Sequence, residues 1–325
     1  MEKEQMMALT FSEFGTPSVL EYLEVPKPTI QDNEILVRTE AIGLNFADIY
    51  RRKGNYHLVG EPPFIAGYEG AGTIVASKSA HFHAGDKIAF TDVPYSNAEF
   101  VVVPCKHAIP IPEHFSSTMA ATVLLQGLTA HYLANDSHKV RNGEVILIHA
   151  ASGGVGQILT QLCKAKGATV IGLTRSPDKL GTILDCRADH ALLLNKDWKT
   201  KVLKITEDLG VDVAFDSVGS TLNDSLEVTK ERGHVVFYGM SGGDPEPVDP
   251  RMLMDTSKTL TGGDLLSYLT DETQRRTRAN QLFELIEQGI VKIKEPVKFK
   301  LSEGRLAHEF LEEGKSASKI LLIPD

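Results

Sequence analysis

Between Val145 and Gln157 the chain reads VILIHAASGGVGQ, an unbroken apolar run that passes directly into a turn of small residues with three glycines. No other segment restricts the fold as tightly. A short continuous apolar run ending in glycines is the pattern of a strand buried on both faces, as in a parallel sheet covered by helices. Beyond the carboxyl end of such a strand, the next helix points its unpaired N–H groups and positive dipole end into an open crevice, where an anion is stabilised. Gly153 and Gly154 omit the Cβ atoms that would obstruct a diphosphate, and Gly156 lets the helix lie tight against the strand. The spacing, Ala151-Ser152-Gly153-Gly154-Val155-Gly156, is A-x-G-x-x-G, with alanine where the dinucleotide-binding fingerprint has its first glycine.

The surrounding rhythm supports this reading. The runs EVILIHA, ATVIGLT, HALLL, VDVAFDSV and HVVFYG, with a sixth strand near KTLTGG, alternate with helical segments such as GQILTQLCKAKG and DWKTKVLKITEDLG. That alternation predicts a Rossmann-type doubly wound parallel sheet over residues 124–267. Up to about Ala120 the pattern is different. EILVRTEAIG, GAGTIVAS, DKIAF and AEFVVVP are short β-type runs broken by proline and glycine, which predicts an antiparallel, barrel-like domain with few long helices. DETQRRTRANQLFELIEQG and EGRLAHEFLEEG read as helices and SKILLIP as a closing strand, so the tail is expected to return to the first domain, giving it residues 1–123 and 268–325. The fold class is α/β, and 325 residues exceed the usual single core.

Composition narrows the function. The 42% hydrophobic and 24% charged shares are those of a globular protein, and the formal charge of −9 with no basic cluster longer than Arg51-Arg52-Lys53 argues against a nucleic-acid surface, leaving only a local basic pocket open. Three cysteines, Cys105, Cys163 and Cys186, lack the spacing of a disulfide framework or a cysteine-rich zinc site. The start MEKEQMMALTFSEFG has acids where a signal peptide has its basic region, and no window approaches the roughly 18 apolar residues of a membrane span, so a cytoplasmic location is expected.

The second strand of the alternation carries the cofactor choice. An NAD-binding unit places Asp or Glu about 20 residues past the glycines to hold the ribose 2′-hydroxyl. Here the zone reads Thr174-Arg175-Ser176, with Lys179 following and no acid before Asp178. Arg175, Ser176 and Lys179 suit a 2′-phosphate. Sheltered charge-assisted hydrogen bonds contribute about 1.5 to 3 kcal/mol each, less at an exposed rim, so two of them favour NADPH by roughly one to three powers of ten.

AIGLNFADIYRRKGNY, PPFIAGYEGAGTIV, QGLTAHYL, HAASGGVGQ, DSVGS and SASKILLIP together resemble the quinone oxidoreductase (ζ-crystallin-like) branch of the medium-chain dehydrogenase/reductase superfamily, over essentially the whole chain. The resemblance implies a GroES-like catalytic domain, NADPH-dependent reduction of quinones at a cleft between the domains, and a homodimer joined through Rossmann edge strands. Zinc-dependent relatives place a cysteine ligand in the match to AIGLN and a histidine in the match to GYEG. Here Asn45 stands in or beside the first region and Tyr68 in the second, and the four-cysteine lobe of a structural zinc is missing, so the expected site is free of metal.

By the same matching, Asn45, Tyr50 and Tyr56 line the acceptor site. Tyr50 is the first candidate donor to the developing oxyanion, Asn45 the second, and Tyr56 a stacking wall. Gln126 and Thr129 match residues near the nicotinamide. Asp216 to Gly219, with Ser217, border the cofactor path; Phe237, Gly239, Met240 and Ser241 its nicotinamide side; and Lys319 the C-terminal edge. Leu194 and Gly262-Gly263 depart from family positions on the phosphate side. Two other functions share these features: reduction of activated C=C bonds in alkenals, enones or enoyl thioesters, and NADPH binding without catalysis by a sensor or structural protein.

Overall fold

Eight strands build the N-terminal part of the chain in a computed structural model that describes residues 4–325. They are β1 (Gln5–Phe11), β2 (Glu21–Pro26), β3 (Glu34–Leu44), β4 (Phe64–Ile65), β5 (Glu69–Ser77), β6 (Lys87–Thr91), β7 (Phe100–Pro104) and β8 (Ile109–Pro110). The expected antiparallel pairing is present: β3 runs against β5 and β7, and β5 against β6. Ile35, Val37, Ile74, Ile88, Phe90 and Val101 turn inward from these strands to form one core. A short helix interrupts the β pattern, α1 (Phe46–Arg52), directly after β3. Asn45 starts it in extended conformation, and its backbone N–H donates to Asp48 Oδ2 at 2.9 Å, the acid-to-N-cap half of a capping box.

A second unit begins within α2 (Ser117–Tyr132). Its strands β9 (Val145–Ile148), β10 (Thr169–Thr174), β11 (His190–Leu193), β12 (Val211–Asp216), β13 (Thr229–Phe237) and β14 (Thr259–Gly262) form one sheet in the order β11-β10-β9-β12-β13-β14. Every pairing is parallel. This is the doubly wound order, which reverses at β9, so the crevice for a ligand opens at the carboxyl end of the strand that carries the glycines. The helices α3 (Gly154–Ala165), α4 (Leu180–Asp185), α5 (Trp198–Ile205), α6 (Leu222–Glu227) and α7 (Pro250–Thr256) connect the strands. Leu147, Ile171, Val211, Ala214 and Val235 are buried with Trp198 and Leu226 from the helices, which accounts for runs without polar alternation.

The tail returns as read from the sequence. α8 (Glu272–Glu287) is followed by β15 (Val297–Lys300), α9 (Gly304–Glu312) and β16 (Ile320–Ile323), and β16 pairs antiparallel with β3 while β15 runs parallel to β16. The first unit comprises the chain up to Leu125, Leu269–Ala279 and Lys294–Asp325; the second comprises Gln126–Tyr268 and Asn280–Ile293. The second half of α8 therefore groups with the nucleotide-type unit, where Leu282 fills the space left by Gly127.

Candidate active site

The nucleotide half is built by three glycines with three different reasons. A Cβ at Gly156 would lie 2.4 Å from Ala150 O and 2.6 Å from Ala151 Cα, so glycine is what lets α3 lie on the end of β9. At Gly154 a further constraint is visible. A Cβ there would sit 1.9 Å from Gln126 Oε1, so this glycine makes room for the Gln126 carboxamide. Gly153 meets only Ala150 O, at 3.1 Å, and is the N-cap of α3. Ala151 is tolerated in place of the fingerprint glycine because Gly172 on β10 faces its methyl group, a Cβ at Gly172 lying 2.9 Å from it. Ala150 adopts φ 47°, a left-handed conformation unusual for a residue with a side chain, and so bends the chain sharply into the turn.

Four residues matched to the cofactor path, Ser152, Thr174, Ser217 and Ser241, also bond to one another. Ser152 Oγ lies 3.0 Å from Thr174 Oγ1, both buried, so these hydroxyls tie the glycine turn to the end of β10. Ser241 Oγ donates to Ser217 O at 3.0 Å, as does the Ser241 N–H, stapling the loop after β13 to the loop after β12. Gly239 packs against Ser217 in the same contact, with its Cβ position 3.1 Å from Ser217 O. Arg175 is exposed and Lys179 half-buried at the mouth of β10. Burial, then the like charge of Arg175, pushes the Lys179 ammonium below its usual pKa, the condition an incoming anion relieves.

Beneath the loop after β12 lies a buried polar group centred on Asp216. Asp216 accepts from the Val218 and Gly219 N–H groups at 2.8 and 3.1 Å and from the Thr221 and Ser225 hydroxyls at 2.7 Å each. Burial works to raise its pKa, but His149 beside it and these donors hold the carboxyl below the ordinary range. Since the single Ser225 proton goes to Asp216, His149 must donate to Ser225 from Nε2, over 2.8 Å. His149 is fully buried, and burial pushes its pKa down against the pull of Asp216.

In the catalytic unit, Tyr50 and Tyr56 are half-buried and meet edge to face, with ring centroids 6.2 Å apart. Arg51, from the basic triplet, is buried. Its guanidinium stacks 3.5 Å from the Tyr68 ring centroid and 5.0 Å from that of Tyr56, donates to His57 O at 2.9 Å and pairs with Asp48 at 3.4 Å. Asp48 is pushed up by its burial, against the pull of Arg51. The sequence reading missed Asp48, Arg51 and Glu69; the N-x-x-D spacing of Asn45 and Asp48 was the one readable signal.

Asn45, Glu69 and Lys319 form one buried group. Asn45 Nδ2 donates to Glu69 Oε2 at 2.8 Å and to Gly43 O at 3.3 Å, so its amide donors are engaged within the unit. Lys319 is buried with Nζ 2.7 Å from Asn45 Oδ1 and 2.7 Å from Glu69 Oε2, which places it beside Asn45. A zinc ion does not fit this set. Asn45 and Tyr68 replace thiolate and imidazole, the Tyr68 hydroxyl accepts from Val59 N–H at 3.1 Å, and a dication would face the Lys319 ammonium. Among the described residues no three His, Cys, Asp or Glu side chains are grouped to hold a metal.

Residues 31–142 match the alcohol dehydrogenase GroES-like domain, and residues 154–284 match the family described as zinc-binding dehydrogenase. Quinone oxidoreductase from Pseudomonas aeruginosa is 34% identical over 97% of this chain and 99% of that protein. The chain belongs to the quinone oxidoreductase branch of the medium-chain dehydrogenase/reductase superfamily. Within this oxidoreductase branch, the crystal structure of Escherichia coli quinone oxidoreductase complexed with NADPH superposes with a TM-score of 0.93, at 32% identity over 98% of this chain and 100% of that one. A 2-haloacrylate reductase from Burkholderia is 30% identical over 98% of this chain and 99% of that protein. Among the described residues no helix is long and apolar enough to cross a membrane.

Proposed function

We propose that the protein is an NADPH-dependent reductase of quinones that works without zinc. The observation that carries the reading is the pairing of a metal-excluding, aromatic catalytic cluster with a Rossmann unit whose second strand ends in Arg175 and Lys179 and has no acid for a ribose 2′-hydroxyl. The relatives named for quinone reduction, and the NADPH-bound neighbour, support it.

When bound, NADPH supplies the hydride. The chain's own part is to hold it and to stabilise the acceptor. Gly153 and the N-terminus of α3 receive the diphosphate, and Arg175, Ser176 and Lys179 the 2′-phosphate. Gln126 and Thr129 on α2, with Val155, Phe237 and Met240, shape the remaining cofactor surface. Tyr50 donates its hydroxyl hydrogen bond to the acceptor oxygen as negative charge grows there, and Tyr56, held by Arg51, walls the site. The phenolate-type product is a weak base, so solvent protons complete the reaction.

The 2-haloacrylate reductase relative favours a second reading, hydride delivery to the β-carbon of an activated double bond. Turnover of phenanthrenequinone compared with a crotonyl thioester separates the two, and tight NADPH binding with neither acceptor reduced would indicate a non-catalytic binding protein. A homodimer through the outer strand β14, which among the described residues pairs only with β13, and a cytoplasmic location belong to the same proposal.

A further inference from the structure

An ionic group in the catalytic unit is withdrawn from water. Lys319 and Glu69 pair at 2.7 Å with side chains 1% and 0% exposed. Asn45 closes the triangle, accepting from the ammonium through Oδ1 and donating to the carboxylate through Nδ2. An ammonium cannot accept and a carboxylate cannot donate, so the amide has one permitted orientation. The backbone is shaped to the group. The β16–β3 register, Ile320 opposite Leu44, brings Lys319 beside Asn45, and a Cβ at Gly43 would lie 2.1 Å from Glu69 Oε2, so glycine leaves the volume the carboxylate fills. The other carboxylate oxygen accepts from Leu125 N–H at 2.7 Å.

Replacing a buried ion pair by neutral side chains of similar volume is often neutral or stabilising, so stability alone gives no reason to keep this one. What the pair holds is Asn45, the N-cap of α1, and α1 carries Tyr50 on its second turn. We propose that Glu69 and Lys319 are positioning residues, locking Asn45 and with it the start of α1 so that the Tyr50 hydroxyl is presented in one place to the acceptor. The inference rests on the reductase reading, in which Tyr50 touches the acceptor oxygen.

The test is a double-mutant cycle. Wild type, Lys319→Met, Lys319→Arg, Glu69→Gln, the neutral pair Lys319→Met/Glu69→Gln, Tyr50→Phe and Tyr50→Phe/Lys319→Met are compared for kcat and KM with phenanthrenequinone. NADPH affinity is followed by fluorescence and folding by thermal melting. The neutral pair melts within a few degrees of wild type and binds NADPH within about twofold, while kcat falls at least about tenfold and the quinone KM changes less. Lys319→Arg recovers part of kcat, and Lys319→Met adds little loss on the Tyr50→Phe background. A folded neutral pair with wild-type kcat overturns the role, and so does a Lys319→Met loss as large without the Tyr50 hydroxyl as with it. If the neutral pair does not fold, Glu69→Gln, which keeps shape and one donor-acceptor contact, decides by the same two criteria. If wild type itself reduces no acceptor, the reductase reading fails and this role with it, an outcome distinct from active wild type with unaffected variants.

Discussion

Replacing Gly153 and Gly156 separately by alanine distinguishes binding from folding in a turn where both are usually credited to glycine. At Gly153 the backbone angles are φ −80° and ψ 171°, open to any residue, and the added methyl meets one atom, Ala150 O at 3.1 Å. A shift of a few tenths of an ångström accommodates it, so Gly153→Ala loses less than about 1 kcal/mol of stability. The methyl nevertheless occupies the surface where the diphosphate must touch backbone N–H groups. Loss of one or two charge-assisted hydrogen bonds, about 1.5 to 3 kcal/mol each, raises the Kd for NADPH by roughly ten- to ten-thousandfold. At Gly156 the methyl meets main chain at 2.4, 2.6 and 2.9 Å, none of which belongs to a flexible side chain. α3 must lift off β9, an overpacking cost of about 1 to 3 kcal/mol that lowers Tm by several degrees as well as weakening binding. Fluorescence titration with NADPH and thermal melting of both variants form the assay. A Gly153→Ala protein that binds NADPH like wild type would refute the placement of the diphosphate at this turn.

Arg175→Ala and Lys179→Ala should each weaken NADPH binding by about tenfold while leaving NADH within twofold, so that titrations with both cofactors converge. Tyr50→Phe should lower kcat with quinone by roughly 10- to 100-fold at unchanged NADPH Kd, read by steady-state kinetics beside fluorescence titration. His308 is held neutral by burial and then by Arg52, its pKa pushed down to about 3 from 6.5. The folded state therefore binds fewer protons than the unfolded chain between those values, and stability falls as pH drops from about 6.5 towards 3, by an amount on the order of a few kcal/mol. Urea melts at pH 7 and pH 5 should show this loss in wild type and a smaller one in His308→Leu.

The parallel sheet was legible because strands buried on both faces need uninterrupted apolar runs, and VILI, TVIGLT and VDVAFD supply them without competing helical periodicity. The absence of an acid at the end of β10 was legible because it is a local fact of the sequence. The catalytic unit hid its logic. α1 lies inside a β-rich stretch and is started by an N-cap whose acid partner is three residues on, a weak signal among turn residues. Glu69 and Lys319 are 250 residues apart, and only the β16–β3 register brings the lysine to the carboxylate. Charged residues read from sequence are assigned to solvent by default, and the burial of Arg51, Asp48, Glu69 and Lys319 is visible only when partners from distant strands arrive. The donor capacity of Asn45 is shared with Glu69, a neighbour that spacing does not reveal.

The methyl of Ala151 and the bare backbone of Gly172 share one small volume between adjacent strands. Neither position varies alone without consequence: glycine at 151 opens a hollow, and alanine at 172 collides with both Ala151 and Ile183. Descendants of this chain that regain the missing fingerprint glycine are thereby freed to add bulk on β10, so the two sites are expected to drift as a pair, with Ile183 as the third party to any exchange.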